Sequence, residues 1–195
     1  NTAAWIDAMK EAAKRVEVAG QHLVIFPGVE ISTHEGYHVI ALFDPDVGQA
    51  EVENFLGAIG ITPDEYGKSD ALCEKGIFEV LEIIHKRNGL AVLAHIDEIK
   101  GAFYELTSVD AETGKVRVPL TCVRLFNQGA YDAVEVTKGN LPPGLDAAHQ
   151  ITRKPAFYQA SDSPDPQDRV HHSKDGIGTR YSYFNLDEIS LEGLR

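Results

Sequence analysis

The chain has 195 residues, 43% hydrophobic and 25% charged, and its 18 Lys+Arg against 30 Asp+Glu give a formal charge of −12. That composition fits a globular chain with one sizeable core, and the acidic balance excludes broad binding to a phosphate backbone, which needs a basic surface. A phosphate-containing substrate stays open where metal ions screen the site.

In chain order, Trp5, Met9, Ala12, Ala13 and Val16 recur at helical spacing behind Asn1 or Thr2, either of which can cap a helix. "LVIFPGVEIS" and "HVIALFD" follow as β-branched and aromatic runs that predict strands. Val52, Phe55, Leu56 and Ile59 mark a second helix, ended near Gly60. "GIFEVLEIIHKRNG" predicts a third, with Ile77, Val80, Leu81 and Ile84 on one face and Gly89 as its stop. "LAVLAHI" is an apolar strand directly after it.

The alternation then repeats. "PLTCVRLFNQG" reads as helix, "DAVEVT" as strand, "PPGLDAAHQITRK" as helix and "AFYQASD" as strand. "TRYSYFNL" predicts an alternating strand and "DEISLEGLR" a last helix. Apolar strands alternating with helices predict a parallel sheet covered by helices. Residues 162–178, polar and rich in Asp, Pro and Gly, read as an active or disordered loop. No run of about 18 apolar residues predicts a membrane span, and no basic-then-apolar leader is present. Cys73 and Cys122 have no pairing pattern, which points to a reducing cytoplasm.

Polar side chains gather at the ends of the predicted strands. Glu30 and His38 flank the first turn, His95 closes "LAVLAHI", Glu135 and Thr137 end "DAVEVT", and Asp162 closes "AFYQASD". In parallel β/α folds functional groups collect at strand C-termini, and His, Glu and Asp at successive ends make the composition of a metal site. Each residue alone also has an ordinary reading. His95 could be a hydrogen-bonded structural histidine, Glu30 a loop carboxylate and Asp162 a turn residue in "SDSPDP". His34 and Glu35, beside Gly36, read as solvated turn residues, and His22, His85 and His149 read as surface residues.

"PGVEIST", "HVIALFD", "GLAVLAHID" and "ASDS", in this order, resemble the polymerase-and-histidinol-phosphatase (PHP) family. The resemblance runs over roughly residues 20 to 186. It implies an α/β fold, a distorted TIM-like (β/α)7 barrel, that hydrolyses phosphate esters with two or three metal ions. On this basis residues 1–195 form a single PHP-like domain, incomplete at its N-terminal side. The family's His-x-His and Thr-Asp-His elements would precede residue 1.

Carried over position by position, the resemblance makes Glu30 a bridging or near-bridging carboxylate and His38, His95 and Asp162 metal ligands. His95 stands in Ala-His-Ile where the family has Ala-His-Pro. Pro164 stands where the Ser-Asp-x-His element expects its histidine, and His171 and His172 are alternatives on the same loop. "GIGTRYSYFNLD" is most similar to PHP domains fused to AAA-type ATPases, the TrlF-like group. That makes a fused ATPase domain a candidate partner.

The ions expected are Mn, Zn or Fe, since mixed His/carboxylate sites accept all three. The substrate is a phosphate ester, with nucleotide and nucleic acid among the fitting classes. Glu30 and His95 are the expected catalytic residues, together with Arg180, whose planar fork suits bidentate phosphate contact. A surface salt bridge is the competing reading of Arg180. For the chain as a whole, the alternative to a phosphoesterase is a catalytically degenerate module serving a larger ATPase as a regulatory or interaction domain.

Overall fold

A computed structural model of the chain describes residues 5–18, 20–145, 149–161 and 180–195. Its backbone divides into two units, Asn1–Ala91 with Asn185–Arg195, and Val92–Phe184.

In the first unit, α1 (Trp5–Ala13) is followed by a short antiparallel ladder of β1 (Glu17–Val18) and β2 (Gln21–His22), turned at Gly20. Strands β3 (Gly28–Ser32) and β4 (His38–Leu42) then pair antiparallel, with Glu30 opposite Ile40 and Ser32 opposite His38. The two-residue period of a strand separates the faces of this hairpin. Ile31, Val39 and Ala41 are buried on one face, while Glu30, Ser32, His38 and Ile40 share the other. The sequence predicts parallel strands here. Only five residues separate β3 from β4, too few for the crossover that a parallel pair needs.

Helix α2 (Gln49–Ala58) buries Val52, Phe55 and Leu56, and Phe55 meets Phe43 edge-on at 5.3 Å. After a 3₁₀ turn (Pro63–Glu65), α3 (Ile77–Lys86) buries Ile77, Val80, Leu81 and Ile84, the predicted stripe. Its end differs in detail from the prediction. Asn88 takes the left-handed conformation (φ 58°) and donates to the His85 carbonyl, and Gly89 donates to that of Ile84. These bonds form a Schellman closure in which Asn, rather than Gly, supplies the positive φ.

Strand β5 (Leu90–Leu93), buried throughout, begins in the first unit and ends in the second. It is followed by α4 (Ala102–Leu106), a small hairpin of β6 (Ser108–Val109) and β7 (Val116–Arg117), and α5 (Leu120–Gln128). Strands β8 (Ala133–Glu135) and β9 (Ala156–Tyr158) complete the second unit, and α6 (Leu191–Leu194) returns to the first. The parallel expectation holds in the second unit, where β5 pairs with β8 and β8 with β9. Phe103, Phe126 and Tyr131 stack edge-on in its core at 5.6 and 5.9 Å. The Arg153 guanidinium lies 4.0 Å from the Tyr131 ring centre and donates to the carbonyls of Gly129 and Tyr131. Burial pushes the Cys122 thiol up to about 12, so it is an unreactive core side chain.

Two predicted elements fail. Described residues 142–145 and 149–154 form no α-helix, because Pro142 opens a turn closed by Leu145 and Gly144 sits at φ 95°. Residues 180–186 form no strand. There Ser182 Oγ accepts from the Gln159 amide at 2.9 Å and donates to its carbonyl at 3.0 Å, so a side chain replaces the ladder. The result is an α/β chain with a central sheet. Among the described residues that sheet is open, and the expected (β/α)7 barrel is not seen to close.

Candidate functional site

The hairpin delivers the first two predicted site residues. Because Ser32 faces His38 in the register, Glu30 is the diagonal neighbour of His38 on the same face, within side-chain reach. Glu30 Oε1 lies 2.5 Å from His38 Nδ1, with the glutamate side chain 41% and the histidine 15% exposed. A one-residue slip would turn both into the apolar face, so the alternation that builds the core also fixes this pair.

The turn between the strands holds the geometry. Thr33 is fully buried, its hydroxyl accepts from the Tyr37 amide at 3.1 Å, and its carbonyl accepts from Gly36. Gly36, at φ 88°, takes a conformation that side chains resist. Glu35 has more to do than its solvated reading allows. Its carboxylate accepts from the Ile77 amide at 3.1 and 3.3 Å, capping the N-terminus of α3 from 42 residues away. The loop is tied further by the bonds His34 N–H to Lys75 carbonyl and Cys73 N–H to Ser32 carbonyl. His34 is exposed, as expected.

In the second unit His95 follows β5 with only 5% exposure. Its φ is +26°, a conformation that costs a non-glycine residue about 1–3 kcal/mol and tends to persist where the surroundings impose it. The surroundings do so here. The His95 amide donates to Glu135 Oε2 at 3.2 Å, and the next amide, Ile96, donates to the Glu135 carbonyl at 2.9 Å.

Two residues on, the buried Asp97 carboxylate accepts from the Thr137 amide at 2.9 and 3.2 Å, the Thr137 hydroxyl at 3.1 Å and the Lys138 amide at 3.1 Å. Thr137 is thus held by Asp97. Asp97 is the residue that reading strand ends alone missed; the signal available was an acidic residue placed two positions after a buried histidine. Lys138 pairs with Glu98 at 3.0 Å, and that carboxylate raises the lysine's pKa.

Arg180 is half-buried and bonded to backbone oxygens of its own unit. Its guanidinium donates to the carbonyls of Thr137 (3.2 Å) and Ser161 (2.6 Å), and Gln159 Nε2 also donates to Thr137 (2.6 Å). The arginine ties the chain after β8 to the chain after β9. Asp162, Pro164, His171 and His172 lie outside the described residues.

Glu30 and His38 in the first unit and His95 in the second each offer a donor of the type that divalent metal ions accept, a carboxylate oxygen or an imidazole nitrogen. Glu30 and His38 are held against each other on the polar face of the hairpin.

No protein-family model matches the sequence, and no curated protein matches it. Among solved structures, the chain is similar to that of the lesion-specific endonuclease PfuEndoQ from Pyrococcus furiosus, with a TM-score of 0.57 at 14% identity over 91% of this chain. This chain spans 39% of that endonuclease's length. At such identity the likeness is one of fold. No helix among the described residues is long and apolar enough to cross a membrane.

Proposed function

We propose that residues 1–195 are a PHP-type domain of a metal-dependent phosphoesterase that acts on nucleic-acid phosphodiesters. The observation that carries this reading is the donor set itself: a paired Glu30 and His38 on the polar face of a hairpin, and a buried His95 in a constrained backbone conformation. The fold-level likeness to an endonuclease supports the substrate class.

In this reading Glu30, His38 and His95 hold one divalent ion of the Mn, Zn or Fe group, with Asp162 as a fourth ligand. Such an ion lowers the pKa of a bound water and polarises a phosphoryl oxygen. The protein's own residues supply orientation. Glu30 and His38 are fixed to each other, His95 is fixed through its backbone, and Arg180 anchors Ser161, the residue before Asp162. "GIGTRYSYFNLD" favours a TrlF-like parent carrying an ATPase domain.

Pro164, standing where the resemblance expects a histidine, favours a second reading, in which the domain binds metal but has lost turnover and serves a larger protein as a regulatory module. Calorimetry with Mn²⁺ and cleavage of oligonucleotides with and without a base lesion, run on the 195-residue chain, separate the two. We expect at most one bound ion, abolished in His95→Ala, and weak cleavage that depends on Mn²⁺; Mn²⁺ binding with no cleavage at all would refute the first reading. Wild-type Mn²⁺ binding by His95→Ala would refute both readings, while robust cleavage would refute the second.

A further inference from the structure

We infer that Glu135 is a positioning residue that sets the direction of the His95 imidazole by holding its backbone; this rests on His95 being a metal ligand. Strands β5 and β8 run in parallel register to Leu93 opposite Val134, and the ladder stops there. Beyond it Glu135 meets two consecutive amides of the turn, His95 through its carboxylate and Ile96 through its carbonyl.

Glu135 is itself only 4% exposed, so its carboxylate sits there at a desolvation cost that an apolar residue would avoid. The bond to His95 gives that placement a consequence. A buried amide needs a partner, and at φ +26° the His95 amide finds it in this side chain. Once the backbone is fixed, Cβ of His95 points in one direction, and the ring follows within its rotamers. Removing the carboxylate frees the turn to relax towards an ordinary φ and to swing the ring away. Groups that orient a metal ligand from behind typically change metal affinity by about 10- to 100-fold when lost.

The test compares Glu135→Ala, Glu135→Gln and His95→Ala with the wild-type chain. It reads Mn²⁺ affinity by calorimetry, the visible spectrum with Co²⁺ as probe, and hydrogen exchange at the His95 amide. Glu135→Ala should lose about 10- to 100-fold in Mn²⁺ affinity, alter the Co²⁺ spectrum and exchange faster at His95. Glu135→Gln keeps an acceptor oxygen and should retain all three properties. A loss in glutamine as large as in alanine would assign the effect to charge and overturn the proposal.

Wild-type affinity in Glu135→Ala, beside a loss in His95→Ala, also overturns it. Equal affinity in wild type and His95→Ala would instead overturn the metal reading on which it rests. If Glu135→Ala does not fold, Glu135→Asp decides, because it keeps the charge and shortens the reach. Weaker Mn²⁺ binding with faster His95 exchange then supports positioning, and wild-type behaviour overturns it.

Discussion

Carboxylates stand beside the β3–β4 hairpin and beside the ends of β5 and β8, but their partners differ. In the hairpin Glu30 faces another side chain, His38, from a position open to water. In the second unit Asp97 and Glu135, 7% and 4% exposed, face backbone amides. A buried carboxylate on an amide completes a turn that would otherwise leave a donor without a partner, so its removal damages the fold. An exposed carboxylate on a histidine adds little to stability, because water solvates both groups well in its place. The position of an acidic residue at a strand end therefore does not reveal its role; the atom it faces does. By this criterion Glu35, although it lies in the hairpin's turn, belongs with Asp97, since it serves the α3 amide of Ile77.

The sharpest way to break this contrast is Asp97→Ala. It removes the acceptor for two backbone amides and a hydroxyl around Thr137 and Lys138. Hydrogen bonds to a charged group contribute about 1.5–3 kcal/mol each, and bared buried donors add a desolvation cost. We expect a loss of about 3 kcal/mol or more in urea denaturation, with Asp97→Asn losing less. An unchanged midpoint would show that water reaches these amides and that the second unit is not built as described.

A smaller effect comes from Glu35→Ala, which uncaps α3. Loss of an N-terminal cap costs about 1 kcal/mol. Mn²⁺ affinity should stay at the wild-type level, since Glu35 serves the helix. If affinity fell while stability did not, Glu35 would belong to the site and the sorting by partner atom would fail.

Much of the first unit was legible because its signals are local. The period-two alternation of Ile31, Val39 and Ala41 marks the buried face of the hairpin, and the stripe from Ile77 to Ile84 marks α3. The buried run around β5 was equally plain. The failures have identifiable physical causes. "PPGLDAAHQITRK" has helical composition, but Pro142 and a left-handed Gly144 use its start for a turn. "TRYSYFNL" alternates like a strand, yet Tyr181 and Tyr183 are exposed, so the pattern reports no buried face.

Residue types and strand ends pointed to Glu30, His38 and His95, and each carries a donor of metal-binding type. Glu135 stood out as a strand-end carboxylate, but its task was not legible, and Asp97 did not stand out at all. Asp97 and Glu135 act on amides 40 residues away in sequence, a relation created only by the parallel register of β5 and β8.

The smallest expected stability effect is the most informative about function. Glu30→Ala and His38→Ala remove the two sides of the 2.5 Å pair. Exposed ion pairs contribute about 0–1 kcal/mol, and the exposure of Glu30 places this pair in that range. In a double-mutant cycle read by urea denaturation, the coupling between the two changes should therefore stay below about 1 kcal/mol. Mn²⁺ binding should fall steeply in either single variant, because each removes a donor. A pair that matters little for folding and greatly for an ion is held in place for the ion, and the register of the hairpin then serves the site as well as the core. A coupling of several kcal/mol without any change in Mn²⁺ affinity would reverse that conclusion. It would place Glu30 and His38 with Asp97, among the residues whose task is to hold the chain together.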